Sequence, residues 1–154
     1  ADHHDFSVCT TWGIQSDDLY LLDVERARLD FPSLKRRVLE LARHWQPRTL
    51  LIEDKGSGTA LIQQLRGEPN GICYPTAFVP KDDKLTRLHA QSAWIEAGHV
   101  WLPEHASWLE DLRIGLAAFP QGRNDDQVDS MSQFLAWHFS RKGMGLQRVR
   151  LGGV

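Results

Sequence analysis

The sequence predicts an α/β fold, and three observations carry that prediction. Two stretches near the N-terminus are rich in strand formers: Phe6, Val8, Thr10, Trp12 and Ile14 recur at period two, and Leu19 to Val24 follows. An aliphatic run, Leu50-Leu51-Ile52, passes through Glu53-Asp54 into Lys55-Gly56-Ser57-Gly58 and then a helical pattern, as a crossover strand does. Several later stretches place apolar residues three or four positions apart, the spacing of amphipathic helices.

Taken in order, Phe6 to Ile14 is a half-buried strand, Gln15 to Asp18 a polar turn, and Leu19 toward Leu29 a second strand forming an antiparallel hairpin. Asp30 or Ser33 caps a helix whose buried face is Leu34, Val38, Leu41, Ala42 and Trp45, ending before Pro47. The strand from Thr49 to Glu53 is expected to be buried on both faces, with a helix from Thr59 to about Arg66 behind it. Gly67 to Gly71 is a loop. Ile72 to Val79 is a further strand, and Pro75 within it favours an edge or a bulge.

A helix then runs from Lys81 to Ala97. Its spacing puts Lys84, Arg87 and Gln91 on one side, read either as a solvated basic face or as a phosphate-contacting strip, and turns Leu85, Leu88, Ser92 and Ile95 the other way. Gly98 to Pro103 is a short last strand, and Trp108, Leu109, Leu112, Leu116 and Phe119 form the apolar face of the next helix. The final helix opens at Asn124-Asp125-Asp126-Gln127-Val128-Asp129, where Asn124 and Gln127 have capping-box spacing, and buries Val128, Met131, Leu135 and Phe139. Residues 1–139 are read as one domain and 140–154 as a basic, glycine-containing mobile tail. The six tryptophans fall mostly at core-facing positions and are read as packing.

Length and composition suit a single globular domain with a proper core. A net charge of -2 excludes a protein that coats nucleic acid by bulk electrostatics, while leaving room for a local basic groove. No apolar run reaches the roughly 20 residues of a membrane span, and Ala1-Asp2-His3-His4-Asp5 lacks the features of a signal peptide, so a soluble intracellular protein is expected. Cys9 and Cys73 show no zinc spacing and are expected to be reduced, half-buried strand residues.

The chemistry concentrates in two places. Asp125, Asp126 and Asp129 crowd the start of one helix; the macrodipole favours each, but their mutual repulsion of about 0.2 to 0.5 kcal/mol per pair cancels much of that gain. A divalent cation would remove the conflict, since magnesium takes carboxylate oxygens. Glu53 stands at the carboxyl end of its strand, the usual edge of a ligand crevice, although an acid there is equally read as solvated or paired with Lys55. Lys55 to Thr59 also reads, weakly, as a phosphate cradle; the full G-x-x-x-x-G-K-[ST] spacing of a P-loop is absent.

The order hairpin, helix, Leu-Ile-Glu-Asp-Lys-Gly-Ser-Gly strand-turn, basic helix, Gly-His-Val-Trp-Leu-Pro, then Phe119-Pro120 and Asn-Asp-Asp-Gln-Val-Asp, resembles the C-terminal nuclease domain of the large terminase subunit of tailed phages, over about residues 5 to 139. The resemblance implies a ribonuclease-H-like fold, a mixed sheet flanked by helices, akin to resolvases and integrases. It implies a metal-dependent endonuclease that cuts concatemeric double-stranded DNA during packaging, with two magnesium or manganese ions. Glu53, Asp126 and Asp129 match the catalytic and metal-binding acids, with Asp125 as a further ligand or a helix-start residue. Lys81, Lys84 and Arg87 are candidates for DNA contact by position. An N-terminal ATPase domain, a small terminase subunit and a portal are the implied partners, in the cytoplasm of a bacterial host.

One departure accompanies the resemblance. The family carries another aspartate on a first strand preceding the one assigned to Phe6 to Ile14; this chain begins after it, and neither Asp2 nor Asp5 takes its role. Other readings are a non-catalytic ribonuclease-H-like module that binds nucleic acid, nucleotide or another protein, and a resolvase-like nuclease.

Overall fold

A reversal at Ser16-Asp17, with Ser16 at a φ of 55°, joins strands β1 (Phe6–Gln15) and β2 (Asp18–Arg28) into a long antiparallel hairpin. The register pairs Phe6 with Arg28 and Val8 with Arg26, and slips between Thr11 and Trp12, where Leu22 is the extra residue opposite. Such a bulge bends the ribbon and increases its twist. Helix α1 (Phe31–Trp45) follows at once. Asp30 is its cap, accepting from the Ser33 N–H at 2.8 Å, and Gln46 ends it in the left-handed conformation just ahead of Pro47. The computed structural model describes residues 5–68, 71, 74–119 and 126–151, with side chains of the last helix described as far as Arg141.

Strand β3 (Leu50–Glu53) leads into α2 (Ser57–Gly67), and β4 (Pro75–Phe78) returns parallel to β3, so this unit is a strand-helix-strand crossover. Pro75 opens β4, where its missing N–H is tolerated. Helix α3 (Lys84–Glu96), strand β5 (Val100–Trp101), α4 (Leu109–Ala118) and α5 (Asp126–Leu151) complete the order. β5 pairs parallel with β2, giving one sheet of order β1-β2-β5 and a second, β3-β4. Among the described residues no strand bridges the two. β3 differs from expectation here: its four residues are only half-buried, and among the described residues β4 is its one strand neighbour.

The core lies where α4 and α5 meet the hairpin. Leu21 and Val24 of β2 pack with Leu112 of α4 and Met131 of α5, and Val8, Trp12, Trp108 and Leu116 close around them. The expected stripe of α5 is in place, with Val128, Met131 and Leu135 buried and Phe139 half-buried. Its backbone continues as helix to Leu151, beyond the point where apolar spacing stops; the proposed cap Asn124 lies outside the described residues. Trp12 stacks on Phe134 at 4.5 Å and Trp94 meets Phe139 edge-on, so both serve packing as expected, whereas Trp101 is half exposed beside Tyr20. Cys9 is free and half-buried, and Cys73 lies outside the described residues. Burial pushes the Cys9 thiol up to about 11, with the negative charges of Glu25 and Asp23 adding to it, so it stays protonated at neutral pH. No helix among the described residues is long and apolar enough to cross a membrane.

Candidate active site

Glu53 is the last residue of β3, and a tight turn fixes it there. The Asp54 N–H donates across to the Phe78 carbonyl at 2.9 Å, the Lys55 N–H turns back onto the Glu53 carbonyl, and the Gly58 N–H donates to Lys55. Gly56 takes a φ of 57°, and a Cβ on Gly58 would collide with the Glu53 carbonyl oxygen. Only glycines let the chain fold this close. Asp54 is spent locally, accepting from the Thr59 hydroxyl at 2.7 Å. Glu53 itself is half-buried, and among the described residues its carboxylate has no hydrogen-bond or ion-pair partner, Lys55 included.

The second group of acids sits on α5. Asp126 opens the helix and is half-buried, while Asp125 lies outside the described residues. Asp129, one turn on, is 17% exposed and well tied: its Oδ1 accepts from Arg87 Nη2 at 2.6 Å and its Oδ2 from Gln133 Nε2 at 3.3 Å. Next to it, Ser130 shares a 3.0 Å hydroxyl contact with Thr10 of β1, which anchors this turn of α5 to the hairpin.

Arg87 therefore has a different place from the one its spacing suggested. It is 6% exposed and Gln91 only 3%, while Leu85 and Ile95 on the other side of α3 are 43% and 38% exposed. The face with Arg87 and Gln91 is the packed one. Arg87 donates through Nη1 to the Asp82 carbonyl at 2.5 Å and through Nε to Ser132 Oγ at 3.4 Å, and Gln91 donates to the Ser132 carbonyl at 2.9 Å. A guanidinium loses little on burial when each edge meets an acceptor and a carboxylate balances its charge. That is why polar side chains seal the α3–α5 contact. Asp83 caps α3, accepting from the Thr86 N–H at 2.7 Å, and this bond holds its carboxyl below the usual aspartate value.

Of the residues singled out in the sequence, the structure joins Asp129 to Arg87, leaves Lys81 exposed at the approach to α3, and places Lys84 at the first position of that helix. Among the described residues no three His, Cys, Asp or Glu side chains gather as a metal-holding group. The supporting residues Thr10, Ser130, Ser132 and Gln133 were not anticipated. Gln133 alone carried a signal, its position four residues after Asp129 on one helix face.

Comparison with known proteins gives no match among curated proteins and none among solved structures. A family model does match: the terminase RNaseH-like domain, over residues 1–137, the hairpin, both crossover strands and the aspartate turn of α5 included. With nearly its whole length covered by that match, the chain belongs to the terminase RNaseH-like domain family.

Proposed function

We propose that this domain is the nuclease module of a DNA-packaging terminase, hydrolysing phosphodiester bonds of concatemeric double-stranded DNA with divalent metal. The observation that carries the reading is Glu53: a carboxylate at the end of β3 with no partner among the described residues, held over a glycine turn, in a chain of the terminase RNaseH-like family. Strand ends followed by such turns are where open sheets place their chemistry. The family also suggests an ATPase domain, a small subunit and a portal as partners, and the host cytoplasm as the place of action.

Glu53, Asp126, Asp129 and Asp125 are the proposed metal ligands. Their chemistry suits magnesium or manganese, which take oxygen donors. Their arrangement among the described residues does not fit a complete two-ion centre, which needs several carboxylates around cations about 3.5 to 4 Å apart. No three gather, and both oxygens of Asp129 already accept hydrogen bonds. What the chain's own residues do is narrower. Arg87 balances the Asp129 charge from the buried side of α5, and Gln133 steadies the same carboxylate. Lys81 and Lys84, at the start of α3, are the proposed contacts to the DNA backbone.

Plasmid nicking tests the reading. A terminase subunit that carries this domain together with the family's first-strand aspartate is expected to nick supercoiled DNA in manganese or magnesium, and Glu53→Ala is expected to abolish nicking with an unchanged circular dichroism spectrum. Asp129→Ala should also abolish it, but that variant strands Arg87 and must be checked for folding. Undiminished cleavage in both variants would overturn the site. Saturable ATP binding without any cleavage would favour a non-catalytic module, and a preference for branched over linear duplex a resolvase-like nuclease.

A further inference from the structure

Arg26 and Arg28 form a pair that the candidate active site does not use. Both lie over the ring of Phe6, their guanidinium carbons 3.4 and 4.4 Å from its centroid, so two like charges share one aromatic ring. Neither has an ion pair or a hydrogen bond to any described residue, and Arg26 Nη2 is buried with no partner. A stacked guanidinium keeps its N–H donors in its own plane, pointing outward from the ring. Two guanidinium groups on one ring, with no carboxylate partner among the described residues, are set up for an anion.

Their position gives that anion a context. In an antiparallel pair, partners share a face, and the register sets Arg26 opposite Val8 and Arg28 opposite Phe6. Val8 packs against the core, Thr10 meets Ser130, and Trp12 stacks on Phe134, so this is the face that α5 covers. Contacts at Thr10–Ser130 and Trp12–Phe134 show α5 advancing in the same direction as β1. One turn of helix rises about 5.4 Å, and two strand residues about 6.6 Å. Stepping back from Thr10 and Ser130, Asp126 comes level with Val8, and Phe6 with its two arginines lies just beyond the start of α5. The pair therefore flanks the acidic end of that helix, on the same face of the hairpin.

We infer that Arg26 and Arg28 bind backbone phosphates of duplex DNA beside Asp126, at the start of α5. The inference rests on the nuclease reading for its ligand, and Phe6 is the platform that holds both guanidinium groups in place. Each phosphate contact contributes about 0.9 to the slope of log affinity against log salt. Replacing both arginines should lower that slope by about 2 and weaken binding about equally for unrelated DNA sequences.

The test measures binding of a fluorescent linear duplex by the full chain, by anisotropy in EDTA across a salt series. Arg26→Gln/Arg28→Gln should lose about two units of slope. A charge-matched control, Arg36→Gln/Arg43→Gln, sits on α1, which meets the opposite face of β2 through the Arg37–Glu25 ion pair, and should keep it. An unchanged slope in the first pair, or an equal loss in both pairs, overturns the proposal while leaving the nuclease reading standing. A wild-type chain that binds no duplex overturns both. If the double variant fails to fold, arginine footprinting with phenylglyoxal on the wild-type chain decides: DNA should protect Arg26 and Arg28, and modification undiminished by DNA refutes their role.

Discussion

Arg87 shows how much one side chain can tie together here. Its guanidinium reaches the Asp82 carbonyl ahead of α3 and both Asp129 and Ser132 on α5, with almost no solvent exposure. Removing it leaves the mostly buried Asp129 charge without its main counter-ion, a change that costs on the order of 3 kcal/mol when one partner of such a pair is lost. Arg87→Ala is therefore expected to unfold at clearly lower urea concentration than the wild-type chain. A shift of under about 0.5 kcal/mol, as exposed pairs give, would show that the pair is not buried in solution. Its spacing with Lys84 and Gln91 was legible in the sequence. Which way that face turned was not, because the acceptors that make burial tolerable stand some forty residues further on.

At the level of elements, the turn between β3 and α2 is the most constrained. The collision that a Gly58 Cβ would make is with backbone, the Glu53 carbonyl oxygen, and not with the end of a flexible side chain. Gly58→Ala should therefore force the strand end to move, costing about 1 to 3 kcal/mol, and displace Glu53 with it. Thermal unfolding checks the first effect and plasmid nicking the second; a fully stable, fully active Gly58→Ala would mean the turn relaxes freely. Such turns can be read from sequence, since glycines after an aliphatic run have few other uses. One cap was equally readable: of the two candidates Asp30 and Ser33 ahead of α1, Asp30 is the residue that caps it. β3 was read less well, because an aliphatic run says only that a strand is apolar, while its burial depends on how many neighbours it finds.

For the whole molecule, stability depends on the junction of hairpin, α4 and α5, where Leu112 has no exposed surface. Leu112→Ala removes buried methyl groups at the point where three elements meet and should cost about 2 to 5 kcal/mol, read as a lower urea midpoint with an unchanged slope. A loss below about 1 kcal/mol would place the folding core elsewhere. The sequence by itself determined the α/β class, the hairpin, the Asp30 cap, the glycine turn under Glu53 and the buried stripe of α5, because each follows from the pattern of a few neighbouring residues. Only the tertiary structure decided that Arg87 is buried against Asp129, that β3 and β4 form a sheet of their own among the described residues, and that Arg26 and Arg28 both lie over Phe6. Those are contacts between segments distant in the chain, set by which polar groups find acceptors when helices and strands pack, and no local period encodes them.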